Sequence, residues 1–357
     1  MTDTYHDAVL NAVPMAILRL NQDDRAVYAN DAARTLLGDN IEGRLITDVL
    51  RHPDFHASLA RVLTEGRPER VRLTMAAKSG GAQIDAHISP LPRQVGSGPV
   101  AWGRAAGGGA LVSFEDQTAA EQVGAIRRDF VANVSHELRT PLTALVGFIE
   151  TLRGAARDDA TARERFLSIM DREAGRMIRL VNDLLSLSRV EADEHRRPAD
   201  TVELLGLLRS VMTTERDHAA AAGVKLILTA DEAEIRLRGD SDQLTQVFLN
   251  LAENGIKYGG AGGEVRISVT RVAREPKLRG PAVVIEVADT GEGIDPIHLP
   301  RLTERFYRVD SHRSREQGGT GLGLAIVKHI VSRHRGRLKI ESEPQKGSKF
   351  IVILPET

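Results

Sequence analysis

The sequence predicts a multidomain α+β protein, and three observations carry that expectation. Up to about residue 116, short strand-like and helix-like runs alternate between turn signals. From about 118 to 192 the apolar residues instead recur at three- and four-residue steps, the period of long amphipathic helices. From about 202 onward helices and strands alternate again, and two strands close the chain. A length of 357 residues has room for two or three such domains.

Composition narrows the chemistry. Apolar content of 41% and charged content of 27% are ordinary for a globular protein, and the formal net charge of -1 gives no reason to expect a nucleic-acid partner. The absence of cysteine excludes disulfides, thiolate zinc sites and cysteine nucleophiles. No apolar run approaches the ~18 residues that span a bilayer, and Met1-Thr2-Asp3-Thr4 begins no signal peptide. The expected location is therefore cytoplasmic with no transmembrane segment, any membrane association coming through partners or a missing N-terminal anchor.

In the N-terminal part, residues 8–18 read as a short helix leading into a strand from Ala16 to Leu20, and Asn21-Gln22-Asp23-Asp24 turns into a second strand, Arg25 to Ala29. Asn30 or Asp31 caps a helix from Ala32 to Leu37 that stops at Gly38. Short helices are expected around Leu45–Arg51 and Phe55–Glu65, then strands near Val71–Ala77, Gln83–Leu91 and Ala110–Glu115. A flexible glycine-rich connection, residues 96–109, separates the last two strands. This order, with Ala29-Asn30-Asp31-Ala32-Ala33, resembles a PAS domain over about residues 5–116. His52, His56 and His87 are candidate metal or haem ligands, but for histidines so scattered solvation is the expected state.

The next helix holds the residue around which the rest is arranged. Phe130, Val134, Leu138, Pro141, Leu145, Phe148 and Leu152 fall within a sector of roughly 80°. His136 projects about 180° from its middle, into water. A neutral imidazole is a competent nitrogen nucleophile near neutral pH, and the adjacent Glu137 can fix its tautomer or accept its proton. Thr140 lies one turn on, on the same side, and Pro141 removes the helical partner of the Glu137 carbonyl, allowing a bend. A turn at Gly154–Asp159 leads to a second helix, about Thr161 to Ala192. Two long amphipathic helices make an antiparallel hairpin, too thin to stand alone, so pairing with a second copy into a four-helix bundle is expected.

After the polar linker Glu194–Pro198 come a helix around Val202–Ala222, strands Lys225–Thr229 and Ile235–Arg238, a helix Asp242–Tyr258, strands Glu264–Val272 and Ala282–Asp289, a helix from near Gly321, and strands Arg337–Ser342 and Lys349–Leu354. One mixed sheet with helices on a single face is the expected sandwich. Asn250 and Asn254 stack on one helix face, with Lys257 and Tyr258 a turn beyond. Carboxamide oxygens suit a hard cation such as Mg²⁺, and lysine suits a phosphate. Asp289-Thr290-Gly291-Glu292-Gly293 follows a strand, so its aspartate can accept from a base's amine while the glycines allow close backbone approach. Gly318-Gly319-Thr320-Gly321-Leu322-Gly323 opens a helix, where backbone N–H groups form an anion site. Before it, Arg305-Phe306-Tyr307-Arg308 and the polar stretch 309–317 read as a lid.

Taken singly these signals are common. Their order, behind an exposed histidine on a helical hairpin, resembles the H, N, G1, F and G2 boxes of bacterial two-component sensor histidine kinases with a Bergerat-type (GHKL) ATP-binding domain, over about residues 118–357. The finer resemblance, from Pro300–Asp310 and the glycine run, is to the phosphate-regulon (PhoR-like) subgroup. The departures are Gly255, where alanine is commoner, and the missing membrane span.

The resemblance implies a PAS domain at 1–116, a dimerising histidine-phosphotransfer hairpin at 117–196 and the ATP-binding domain at 197–357. ATP and Mg²⁺ are the implied cofactors, with Asp289 on the adenine amine, Asn254 on the metal, and Asn250 and Lys257 near the phosphates. Tyr258, Gly291, Gly293, Phe306, Arg308, Gly319, Thr320, Gly321, Leu322 and Gly323 complete the implied nucleotide site. His136 takes the γ-phosphoryl group with Glu137 as base and passes it to an aspartate of a response regulator. Glu137 with Thr140 also matches the pattern for dephosphorylating that regulator. Implied partners are a second copy in a homodimer, a regulator that is PhoB-like if the subgroup holds, and a phosphate-signalling adaptor. A non-catalytic ATP-binding scaffold and an ATPase of the chaperone or topoisomerase sort are the competing readings. The second normally has a glutamate where Asn250 stands, and Glu253 is expected to point away from the Asn254 face.

Overall fold

In the computed structural model, residues 8–77, 80–91, 108–193, 196–232, 234–309 and 319–356 are described. The chain divides into two units, Met1–Val131 and Ala132–Thr357.

The first unit is organised by Asn30. Its side-chain oxygen accepts from the backbone N–H of Ala33 and of Ile17, both at 2.9 Å, while its amide donates to the carbonyls of Leu10, Val13 and Met15. One buried side chain thus caps helix α1 (Asp31–Leu37) and holds the segment entering strand β1 (Ala16–Leu20). Among the described residues, helical structure at the N-terminal end covers residues 8–11, and the chain then turns toward β1. Strand β2 (Ala26–Ala29), short helix α2 (Ile46–Val49) and helix α3 (Pro53–Glu65) follow. Strands β3 (Glu69–Ala77), β4 (Gly80–Pro90) and β5 (Ala110–Asp116) complete an antiparallel sheet of order β2-β1-β5-β4-β3. Leu18, Leu20, Phe55, Leu59, Leu73, Ile84 and Ile88 fill the core between sheet and helices. His56 contacts the Leu50 carbonyl at 2.7 Å, His87 is exposed, and His52 sits on another turn, so the three do not converge. Residues 96–107 of the expected glycine-rich connection lie outside the described residues.

Helix α4 runs from Thr118 to Arg153, unbroken through Pro141, and α5 from Ala160 to Ala192, capped by Asp159. The expected single helix over 202–222 is instead a strand, β6 (Thr201–Glu203), and two helices, α6 (Leu204–Thr214) and α7 (Arg216–Ala222). Glu203 caps α6 by accepting from Leu205 and Gly206. At its far end Thr213 and Thr214 bond back to the carbonyls of Arg209 and Ser210, and this back-bonding of β-branched residues favours the break.

Strand β7 is Lys225–Ala230, and β8 (Arg236–Arg238) pairs with β6 in its own small sheet rather than joining the main one. Helix α8 (Ser241–Tyr258) is capped by Asp240. Strands β9 (Glu264–Glu275), β10 (Gly280–Asp289), β11 (Arg337–Ser342) and β12 (Ser348–Pro355) surround helix α9 (Gly323–Arg333) in sequence. The sheet order is β11-β12-β10-β9-β7, antiparallel except for the parallel β7–β9 pair, the mixed sheet expected. Leu244, Phe248 and Leu251 of α8 and Ile326 and Ile330 of α9 are buried, as are Val265, Ile267 and Ile285 of the sheet. A Cβ at Gly255 would come within 2.9 Å of Val265, so the small residue noted there lets α8 lie close on β9. Among the described residues no helix is long and apolar enough to cross a membrane.

Candidate active site

His136 is exposed on α4, as its place opposite the apolar stripe requires, and its carbonyl accepts from the Thr140 hydroxyl at 3.2 Å. The apolar stripe is less sheltered than expected: only Pro141 is fully buried, and the other six are half-buried. Glu137 has partners the sequence does not disclose. Arg176 of α5 donates to its Oε2 at 2.6 Å and Arg308 does so at 3.2 Å. Two guanidiniums therefore compete for the carboxylate expected to serve as base.

A cavity of about 430 Å³ opens between α8, the β10 turn, the glycine run and α5. Asn250, Asn254, Lys257 and Tyr258 line it from α8, one amphipathic stripe at successive turns. The Asn250 amide nitrogen is buried and has no hydrogen-bond partner among the described residues, a donor left for a ligand. Lys257 lies over the Tyr258 ring, 5.0 Å from its centre.

Asp289 ends β10 at the cavity's rim. Its Oδ1 accepts from Gly291 N–H at 2.9 Å and from Ser348 N–H at 3.2 Å, and burial raises its pKa despite those bonds. Oδ2 has no partner among the described residues, so this acceptor is free for a ligand and is fixed in direction by its bonded twin. Gly293 also lines the cavity, but Gly291 does not. A Cβ at Gly291 would fall on the Tyr258 carbonyl, so that glycine packs the turn against the end of α8.

Gly319, Thr320, Gly321 and Gly323 line the opposite wall. Gly323 starts α9, two residues later than expected. Leu322 is expected among the nucleotide contacts, yet its side chain is in the core and its N–H donates to Thr320 Oγ1 at 3.3 Å. Phe306 is likewise absent from the lining: it adopts φ 64 and its N–H bonds the Gly321 carbonyl at 2.8 Å, holding the glycine run. Its neighbours Tyr307, Arg308 and Val309 face the cavity instead. Residues 310–317 of the expected lid, and Gly318, lie outside the described residues.

Glu253, expected to point away from the Asn254 face, departs from expectation as well. It lines the cavity beside Asn254, although the two are ~100° apart around α8. The cavity extends that far because α5 closes its side with Arg179, Asn182 and Asp183. Thr320 donates to Asp183 at 2.6 Å, Ser186 to Gln246 at 2.7 Å, and Arg305 to Glu191, so α5 docks along this unit by polar contacts. Periodicity marks α5 as amphipathic but cannot say which partner its polar face meets.

The cavity thus offers an amine acceptor, stacked amides, a lysine and a glycine-lined helix start, a set suited to a purine nucleotide with its phosphates.

Comparison with known proteins agrees with that chemistry. Residues 239–357 match the family of histidine kinase-, DNA gyrase B- and HSP90-like ATPases, 126–193 the His kinase A (phospho-acceptor) domain, and 13–119 a PAS domain. The chain is 38% identical over 343 residues to the phosphate regulon sensor protein PhoR of Pseudomonas aeruginosa, covering 94% of this chain and 70% of that one. It is 38% identical to the sensor-like histidine kinase SenX3 of Mycolicibacterium smegmatis, covering 69% of this chain and 62% of that protein. It is 36% identical to the sensor histidine kinase WalK of Bacillus subtilis, of which it spans 39%. The solved histidine kinase ThkA, in complex with the response regulator protein TrrA, shares the fold at TM-score 0.52 and 20% identity, with 98% of each chain covered. With motifs, fold and relatives in agreement, the chain belongs to the sensor histidine kinases of two-component systems.

Proposed function

We propose that this chain binds ATP in the α8–β10–glycine-run cavity, phosphorylates His136, and passes the phosphoryl group to an aspartate of a response regulator. The observation that carries the reading is the cavity lined by Asn250, Asn254, Lys257, Asp289 and the glycine run and walled on one side by α5 of the hairpin whose other helix presents His136. The assignment of 1–116 to sensing, 117–196 to dimerisation and phosphotransfer, and 197–357 to ATP binding is part of the proposal.

Asp289 Oδ2 accepts from the adenine amine. Asn250 and Lys257 meet the phosphates, and the glycine-run N–H groups balance their charge. Asn254 supplies an amide oxygen to Mg²⁺, a donor of the hard type that ion takes. Bound there, the ion supplies charge neutralisation for phosphoryl transfer. A lone pair of a His136 ring nitrogen forms the bond to the γ-phosphorus as the bond to the β–γ bridging oxygen breaks. ADP leaves with that electron pair. The proton shed by the imidazole goes to Glu137, which serves as base once Arg176 and Arg308 have released it.

Glu137 with Thr140 also supports dephosphorylation of the regulator, Thr140 and the carboxylate orienting water. Likeness to the phosphate regulon sensor supports a phosphate-starvation signal, a PhoB-like regulator and a phosphate-signalling adaptor. A homodimer follows from exposed Val131, Leu142, Val146 and Ile149 of α4 and Leu167, Ile178, Val181 and Leu185 of α5, which need covering.

Phosphotransfer profiling tests the proposal: labelled chain is mixed with a panel of receiver domains. Rapid loss of label to one receiver, and slower clearance of that receiver by Thr140→Ala than by wild type, is expected. Label that never leaves the chain, with free phosphate released from ATP, would favour the ATPase reading to which Glu253 lends a carboxylate.

A further inference from the structure

Asp183 is an acidic residue on the wall of a cavity suited to polyphosphate. It belongs to α5, not to the ATP-binding fold, and it is half-buried. Its Oδ2 accepts the Thr320 hydroxyl at 2.6 Å, and Thr320 is itself 9% exposed within the glycine run. Among the described residues no cation forms an ion pair with it. Arg179, one turn earlier, attracts it only at longer range, while burial raises its pKa. A single hydroxyl therefore supports this carboxylate, on the segment whose N–H groups suit phosphates.

The charge arrangement has a sign. Glycine-run N–H groups, Lys257, Arg179 and Arg308 attract phosphates, whereas Asp183, bonded to Thr320, sets a negative group beside the glycine run itself, and Glu253 adds a carboxylate on the α8 side. Like charges in a low-dielectric cleft repel more strongly than in water. A nucleotide entering here lowers its energy if α5 carries Asp183 away, which costs the Thr320 bond.

Resting on the ATP-site reading above, we propose that Asp183 is a positioning residue that sets nucleotide affinity against docking of α5: its carboxylate opposes the polyphosphate, so nucleotide binding and the Asp183–Thr320 contact antagonise one another. ATP binding then loosens α5 at Asp183, while the contacts of Ser186, Glu191 and Asp193 still hold it, and a docked α5 weakens ATP binding by the same factor, as linkage requires.

Calorimetry on the full chain in Mg²⁺ tests this with ATP, ADP and adenosine. Asp183→Asn keeps an acceptor for Thr320 and removes the charge. It is expected to tighten ATP about tenfold, within the usual range of coupling between sites, to tighten ADP less, and to leave adenosine unchanged. A structural role alone would move all three ligands together. Thr320→Val, which keeps the charge but loosens α5 at Asp183, is expected to tighten ATP by a smaller factor. On wild type, amide hydrogen exchange across residues 180–190 is expected to quicken when ATP is added. Equal or weaker ATP binding by Asp183→Asn, with adenosine unchanged, would overturn the proposal while leaving the ATP site intact, as would unchanged exchange in wild type saturated with ATP. Wild type that binds neither ATP nor adenosine would overturn the ATP-site reading and this proposal together.

Discussion

Asp289 owes its suitability to an uneven use of its two oxygens. One is held by the N–H groups of Gly291 and Ser348, which locks the carboxylate plane, and the other is left for a ligand. Asp289→Asn exchanges an acceptor for a donor if the amide turns, and it weakens the bond even if the oxygen stays in place. ATP affinity is expected to fall about tenfold to a hundredfold, about 1.4 to 2.8 kcal/mol, with no change in melting temperature beyond a few degrees. Titration calorimetry checks the first and thermal unfolding the second. His136, Asn250, Asn254, Lys257 and Asp289 were all legible in the sequence, because each belongs to a local pattern: a helix face, or a strand end. The pairing of Arg176 and Arg308 with Glu137, and of Asp183 with Thr320, was not, because these partners are distant in sequence and meet only after the helices pack. Leu322 and Phe306 mark the opposite limit. Their motif is local, but which of its side chains turns inward is decided by the core and by the φ of 64 at Phe306.

At the scale of elements, the C-terminal end of α9 is where the hairpin, α8 and α9 are joined. Arg333 donates to the carbonyls of Asp193 and Arg196 and pairs with Asp240 at 3.2 Å. Beside it, His334 is 2% exposed, with Nδ1 at 2.8 Å from the Ile330 carbonyl and Nε2 accepting from Asp240 N–H at 3.0 Å. Both nitrogens are satisfied only by the neutral ring, so protonation would set a second N–H against the Asp240 N–H. Burial accordingly holds the pKa of His334 below the ordinary histidine range. The unfolded chain then takes up the proton first. The contribution of the neutral ring is complete above about pH 6.5 and is lost as pH falls from there through the lower folded-state value. Chemical denaturation at pH 7.5 and pH 5.5 is expected to show a smaller loss of stability for His334→Gln than for wild type. Elements such as α4 and α5 were readable because a long periodic stripe has one interpretation. The α6–α7 break was not, since it depends on Glu203 and two threonine hydroxyls competing for backbone groups.

For the whole molecule, the apolar stripes left on α4 and α5 ask for a second copy. Ile178, 62% exposed, lies with Val181 and Leu185 within a sector of roughly 60° on α5. Ile178→Asp is expected to convert a dimer to a monomer by light scattering, and an unchanged mass would remove the bundle from the account. The three-part order of the chain was legible because each part has its own period, whereas the docking of α5 on the nucleotide cavity was visible only in three dimensions. The central claim remains the chemistry at His136. Purified chain is incubated with γ-labelled ATP and Mg²⁺ beside His136→Gln, and the bound label is tested for stability in acid and alkali. The account predicts acid-labile, alkali-stable label on wild type and none on the variant. Equal label on both, or none on a wild type that binds ATP, would contradict it.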